Sequence, residues 1–268
     1  MPILKINDID LYYEQHGKGP DLVLIGGLTS DHQVWKSTLR LLSAHFRVLI
    51  FDNRGAGQTS APDYPYTMEM MANDTLALMN ALNISKAAIL GHSMGGGIAM
   101  QIALLAPLRV EKLIIACSRG KISAVSSMIF SMREKLQALG IGNDLLAEYV
   151  MPFLFSEDFL KINLNVSGFS QWTLRNPHPQ SAIGFKHQLN ASRSKDFTNE
   201  LEKIVAPTLV IAGTEDMIAT LTQTENLAKS LKNGTLATIK NCAHMPHVEY
   251  PREFSQIVLQ FLTPHLSM

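Results

Sequence analysis

The chain has 268 residues, 46% of them apolar and 17% charged, with 23 Lys+Arg against 23 Asp+Glu. This composition describes a globular protein of one sizeable domain, or one domain with an insertion, and excludes a disordered chain. A formal net charge of zero removes the electrostatic basis for capturing nucleic acid or an anionic membrane, so a substrate is expected to be selected by shape and apolar contact.

The opening residues, MPILKINDID, hold no basic stretch followed by an apolar one, so no secretory leader is expected. No apolar run approaches the ~20 residues of a membrane helix. Two cysteines, Cys117 and Cys242, make no disulfide framework and are expected to be reduced thiols of a cytoplasmic protein.

Residues 3–17 carry two alternating runs around Asn7-Asp8 and predict an antiparallel hairpin. Short, nearly continuous apolar runs follow at 22–27, 47–52, 87–92, 112–118 and 208–213, with a sixth at 236–240. Continuous rather than alternating runs suit a parallel sheet covered on both faces. Helical patterns alternate with them at 33–45, 67–83, 94–107, 222–233 and 251–265, which predicts an α/β fold. One region breaks this rhythm. Residues 119–201 hold helix-like stretches and no strand, and are rich in large apolar side chains such as Met128, Phe130, Met132, Phe155, Phe169 and Trp172. The chain is therefore divided into a first core segment (1–118), a helical cap (119–201) and a second core segment (202–268). The apolar side chains of the cap are expected to line, collectively, a pocket over one end of the sheet, although each one taken singly also suits plain packing.

In an open parallel sheet the chemistry gathers beyond the carboxyl ends of the strands. After the run 87–90 comes Gly91-His92-Ser93-Met94-Gly95, a G-x-S-x-G pattern between a strand and a helix. A turn this tight requires small residues two before and two after the serine, and it projects Ser93 from its apex as a candidate nucleophile. The next helix aims its N-terminal N–H groups at the same point, which favours developing negative charge. A serine nucleophile needs a base, and the base an orienting acid. Asp216 follows the strand at 208–213, and His244 follows the one at 236–240, in the order serine, acid, histidine. Glu215 is the rival acid and His247 the rival base. His92 is expected to serve packing or hydrogen bonding. Oxyanion donors are expected from the backbone N–H groups of Met94 and of Leu28, the latter in the Gly26-Gly27-Leu28-Thr29 loop.

The loop Asp52-Asn53-Arg54-Gly55-Ala56-Gly57-Gln58-Thr59-Ser60 lacks the third glycine of a dinucleotide fingerprint, and no phosphate-loop pattern occurs. Cys242, His244 and His247 have no second ligand cluster in the sequence, so no metal is expected.

With Ser93, Asp216 and His244 in place, the segments GHSMGGGIAMQIA, FDNRGAGQTS, PTLVIAGTED and CAHMPHVEYPREF resemble those of the α/β-hydrolase fold superfamily over nearly the whole length. Within it the chain is similar to small carboxylesterases and 3-oxoadipate enol-lactonase-like serine hydrolases. The resemblance implies a mostly parallel central sheet with an N-terminal antiparallel hairpin and a helical cap insertion, no cofactor, and hydrolysis of a small ester, lactone or thioester through an acyl-enzyme on Ser93. Two departures stand out: Gly26 occupies the place of a histidine common before the oxyanion loop, and Ala243 that of a glycine common before the catalytic histidine. Carbon–carbon bond hydrolysis, perhydrolysis and a non-catalytic small-molecule receptor stay open. The expected partner is a small acyl substrate, and a homo-oligomer stays open. Arg175 is a candidate for binding a substrate carboxylate, against the plainer role of a solvated surface cation.

Overall fold

The structure, a computed structural model, describes residues 2–263. Its strands are β1 (Ile3–Ile6), β2 (Ile9–His16), β3 (Asp21–Ile25), β4 (Arg47–Phe51), β5 (Ala87–His92), β6 (Val110–Ala116), β7 (Thr208–Gly213) and β8 (Gly234–Ile239). They form one sheet in the order β1-β2-β4-β3-β5-β6-β7-β8. β1 and β2 pair antiparallel, and β2 joins β4 antiparallel; every later pairing is parallel. The hairpin turn sits at Asn7, whose φ of 51° lies in the left-handed region that Asn tolerates. All residues of β5 and β7 are buried, as continuous apolar strands in the middle of a covered sheet should be. β8 stands at the edge and is half exposed.

The helices in chain order are α1 (Lys36–Ser43), α2 (Met68–Ala81), α3 (Met94–Leu105), α4 (Ala124–Ala138), α5 (Asn143–Leu154), α6 (Glu157–Leu160), α7 (Asn163–Arg175), α8 (Ala182–Ser194), α9 (Leu221–Ser230), α10 (Pro246–Glu249) and α11 (Pro251–Leu262). Two apolar clusters cover the two faces of the sheet. One joins Val23, Ile89 and Ile115 to Leu78 of α2, Ile98 of α3 and Leu227 of α9. The other joins Leu24, Leu90 and Ile211 to Leu42 of α1 and Phe254 and Val258 of α11. Alternate residues of one strand thus feed opposite faces. Thr67, Ser123, Ser156 and Ser181 each cap the helix that follows, accepting a hydrogen bond from a first-turn N–H.

Several element ends depart from the sequence-based expectation, among them the strand expected over 22–27, which stops at Ile25, and the helix expected over 222–233, which ends at Ser230. The helix expected over 33–45 opens as a 3₁₀ turn at His32–Trp35, because Asp31 caps Gln33 N–H and the His32 N–H is drawn to Asp52 at 2.6 Å. The strand expected over 112–118 stops at Ala116, because Cys117 takes a φ of 48° and turns the chain. The last helix ends at Leu262, and the final two residues of the stretch 251–265 lie outside the described ones. Between β6 and β7 the chain runs through α4–α8. Its sole strand-like pairing among the described residues is a bridge between Lys121 and Asp196.

Candidate active site

Ser93 sits on the turn joining β5 to α3 with φ 55° and ψ −119°, a strained conformation for a residue with a side chain. The flanking glycines explain how the turn closes. A Cβ on Gly91 would lie 2.1 Å from the Gly95 carbonyl oxygen, and one on Gly95 would lie 2.2 Å from the Ile25 carbonyl oxygen. Backbone presses on backbone at both positions, so neither admits even alanine without a shift. The strain is held by neighbours: Ser93 N–H donates to the Ala116 carbonyl at 2.9 Å, and the Ser118 hydroxyl donates to the Ser93 carbonyl at 2.7 Å.

The ends of β7 and β8 bring two more side chains to this apex. The Ser93 hydroxyl lies 2.9 Å from His244 Nε2, and His244 Nδ1 lies 2.8 Å from Asp216 Oδ2. The other carboxylate oxygen of Asp216 accepts from the N–H groups of Ile218 at 2.8 Å and Ala219 at 2.9 Å. Asp216 and His244 are both buried. This chain of bonds sets the imidazole tautomer: Nδ1–H donates to the carboxylate, leaving Nε2 to accept from the serine.

Both rivals are placed elsewhere. Glu215 is exposed. His247 is fully buried, wedged between Trp35 and His92 with ring centroids 4.8 and 4.5 Å away, and neither of its nitrogens has a partner. Burial pushes its pKa well below the ordinary histidine value. His92 does take the bonding role expected of it, donating from Nε2 to the His244 carbonyl at 2.7 Å. Burial depresses the His92 pKa to about 3, so the ring stays neutral and that donor is constant.

The Gly26–Thr29 loop runs beside the serine. A Cβ on Gly27 would meet Ser93 Cβ at 3.0 Å, so this glycine lets the loop backbone close on the apex. Leu28 and Met94 both line the cavity next to Ser93. Sequence reasoning missed the brace of this loop. Asn53 Nδ2 donates to the Gly26 carbonyl at 3.0 Å, and the adjacent Asp52 carboxylate accepts from His32 N, His32 Nδ1 and Gln58 N. The signal was present in the Asp52-Asn53 pair after β4, but Gly26 and His32, the partners that tie it to this loop, lie 20 or more residues away in sequence.

Among the described residues, two groupings of side chains have metal-ligating atoms within 4.8 Å of one another: Cys117 with Asp216 and His244, and Asp31 with His32 and Asp52. In the first, burial raises the Cys117 thiol well above its ordinary pKa and keeps it protonated, while Asp216 and His244 already bond each other. In the second, the lone pairs of Asp52 are taken by N–H donors.

The insertion roofs the site. A cavity of about 60 Å³ is bounded below by Gly27, Ser93 and His244 and above by Phe130, Arg133, Val150, Leu154, Phe169 and Trp172. The expectation for the apolar side chains of the insertion therefore divides by residue. Phe130, Phe169 and Trp172 line this cavity, whereas Met128 and Met132 are exposed and Met151 and Phe155 pack into the core. Arg175 is exposed at the end of α7 and does not line the cavity, so the structure removes it from the site; Arg133 of α4 stands there instead.

A family model described as the alpha/beta hydrolase fold matches residues 20–251. The chain belongs to this family. It is 30% identical over 260 residues to a protein of Pantoea ananatis named "Putative carbamate hydrolase RutD", covering 94% of this chain and 93% of that one. Among solved structures, the enol-lactonase from Burkholderia xenovorans superposes with a TM-score of 0.87 at 29% identity, covering 98% of this chain and all (100%) of that one. A malate-bound thermophilic esterase from Thermogutta terrifontis gives 0.86 at 27% identity, covering 98% of each chain. Among the described residues no helix of this family member is long and apolar enough to cross a membrane.

Proposed function

We propose that this chain is a serine hydrolase that cleaves a small ester or lactone through an acyl-enzyme on Ser93, using no cofactor. The observation that carries this reading is the unbroken series Ser93 Oγ to His244 Nε2 at 2.9 Å and His244 Nδ1 to Asp216 at 2.8 Å, at the floor of a cavity roofed by the insertion. His244 takes the Ser93 proton as Oγ attacks the acyl carbon. Asp216 holds the tautomer and stabilises the imidazolium. The N–H groups of Leu28 and Met94 receive the oxyanion, and the α3 N-terminus adds its dipole. His244 returns the proton to the leaving alcohol. It then deprotonates a water that attacks the acyl carbon, and the serine departs with that proton, giving one acid and one alcohol per water consumed.

The relatives' names support an acyl substrate of this kind, one being an enol-lactonase and one an esterase. The carbamate hydrolase name of the Pantoea relative favours a second acyl class, open to the same attack on a trigonal carbon. The reading includes a cytoplasmic setting, supported by two buried cysteines that form no disulfide.

A fluorophosphonate probe tests it. It should label Ser93 and no other residue, and Ser93→Ala should lower p-nitrophenyl ester turnover by about 10³-fold or more with the fold retained. Labelling elsewhere, or a variant keeping over a tenth of the activity, would refute the acyl-enzyme. Ligand binding without turnover of any ester, lactone or carbamate would make the protein a receptor.

A further inference from the structure

Ser93 has open space on two sides, and only one of them is bordered by the base. The first is the cavity of about 60 Å³ that His244 lines. The second, of about 50 Å³, also borders Ser93, Leu28 and Phe130 but is walled by Met68, Gly97, Leu189 and Phe197, all four buried. His244 is not one of its walls. The charged side chains along it turn to protein partners: Arg119 Nη1 donates to the Ile218 carbonyl at 2.8 Å, Lys121 pairs with Asp196 and Lys195 with Glu200.

Acyl transfer makes these two sides unequal. The tetrahedral carbon carries Ser93 Oγ, the oxyanion, the acyl chain and the leaving oxygen. The oxyanion points to the N–H groups of Leu28 and Met94. The leaving oxygen must come within reach of His244 Nε2, which protonates it. The acyl chain takes the direction that is left, away from His244. The alcohol therefore belongs to the His244 side and the acyl chain to the side of Gly97.

The two sides also differ in extent. The acyl side has room for roughly four waters, or about two to four carbons. On the alcohol side, Val34, Phe169, Trp172 and Met245 also bound a groove of about 440 Å³, which Phe159 and Leu164 continue. An alkyl chain that passes Phe169 and Trp172 thus stays on apolar surface.

We propose that this site takes esters of a short acyl group with a larger apolar alcohol, the acyl chain ending against Gly97 and Phe197 and the alcohol running past Trp172 into the groove. The assignment rests on the serine hydrolase reading and narrows its substrate class. Gly97 sets the acyl limit. A Cβ there would lie 3.5 Å from Met68 Sδ and 3.6 Å from Phe197 Cε2, ordinary contacts, so alanine fits the fold and takes its volume from the cavity. On the alcohol side, Gly168 lies one turn of α7 from both Leu164 and Trp172, on the face that lines the groove. A Cβ there would meet nothing within 4 Å.

Two isomers test it. Hexyl acetate and ethyl hexanoate have the same formula and differ only in which side of the ester carries the long chain. The wild-type protein should favour hexyl acetate in kcat/KM by about 30-fold, since each CH₂ laid on apolar surface gives up to about fourfold and the acyl cavity has no room for six carbons. Equal rates, or a preference for ethyl hexanoate, would overturn the proposal. Gly97→Ala should raise the preference for hexyl acetate over ethyl butanoate about tenfold, by shortening the acyl cavity. Gly168→Glu, which sets a charge in the groove, should lower the same preference about tenfold. A merely structural disturbance slows both esters alike, so an unchanged ratio in either folded variant would also overturn the assignment. If Ser93 takes the fluorophosphonate and neither isomer reacts, the proposal fails while the hydrolase reading stands. If Ser93 stays unlabelled and no ester reacts, the hydrolase reading fails and the assignment of the two sides falls with it.

Discussion

The strand-end turns and the helical insertion both face Ser93, yet they hold their side chains in opposite ways. At the strand ends the backbone itself is crowded: Cβ atoms on Gly91 and Gly95 would fall within 2.2 Å of carbonyl oxygens, and Ser93 is locked into a strained φ of 55°. In the insertion, a Cβ on Gly168 of α7 would meet nothing within 4 Å, and α7 buries no residue fully. On the proposed function the first region positions reacting atoms, which tolerates errors of only a few tenths of an ångström. The second then encloses the substrate, which requires only that a few side chains point inward. Precision is concentrated where the sheet backbone can supply it, and shape is left to helices whose surfaces are free to differ.

The largest effect that tests this contrast is expected at the base. His244→Ala should lower kcat about 10³-fold or more, whereas His247→Phe, at a buried position between Trp35 and Phe254, should leave kcat within a few-fold. Steady-state kinetics on one ester decides it, and the reverse ranking would move the base to His247. The two kinds of glycine give the next contrast. Gly95→Ala should cost roughly 2 kcal/mol or more in a denaturant titration, because the new Cβ meets the backbone of Ile25 and Gly26. Gly168→Ala should instead stabilise by about 0.5–1 kcal/mol, since it adds helix propensity in open space.

Acid titration of stability comes third. Burial holds His92 at about 3 and His247 well below its ordinary value, so the folded protein binds fewer protons than the unfolded chain once the pH falls below about 6.5. Stability should therefore be full above that value and fall with decreasing pH by about 1.4 kcal/mol per unit for each histidine. His32, raised by Asp52, acts in the opposite sense and only above the same value, where its contribution is lost as pH rises. His247→Phe should reduce the acid slope measured between pH 6 and 4 by about 1.4 kcal/mol per unit, and an unchanged slope would mean that His247 is protonated in the fold. The smallest effect belongs to the insertion: Trp172→Ala should lower kcat/KM about tenfold by opening the cavity wall, with unfolding free energy changed by less than about 1 kcal/mol.

The sequence by itself determined the sheet, the strand-to-helix turn at Ser93 and the order serine, acid, histidine. Each of these follows from the period of a strand, the smallness that a tight turn demands, and the rule that a parallel sheet delivers its loops to one end. It left His244 and His247 as rivals, because three residues separate them and only folding showed that the short helix α10 carries His247 away beneath His92. It left Arg175 as a candidate for a substrate carboxylate beside the plainer role of a surface cation, and the structure exposes Arg175 and lines the cavity with Arg133. A guanidinium on a helix reaches a site or the solvent according to the rotation of that helix about its axis, and α4 and α7 are rotated by what they pack against rather than by their own residues. The Asn53 brace on Gly26 was hidden for a related reason: a hydrogen bond across 27 residues has no spacing to read, and exists only once β3 and β4 lie side by side.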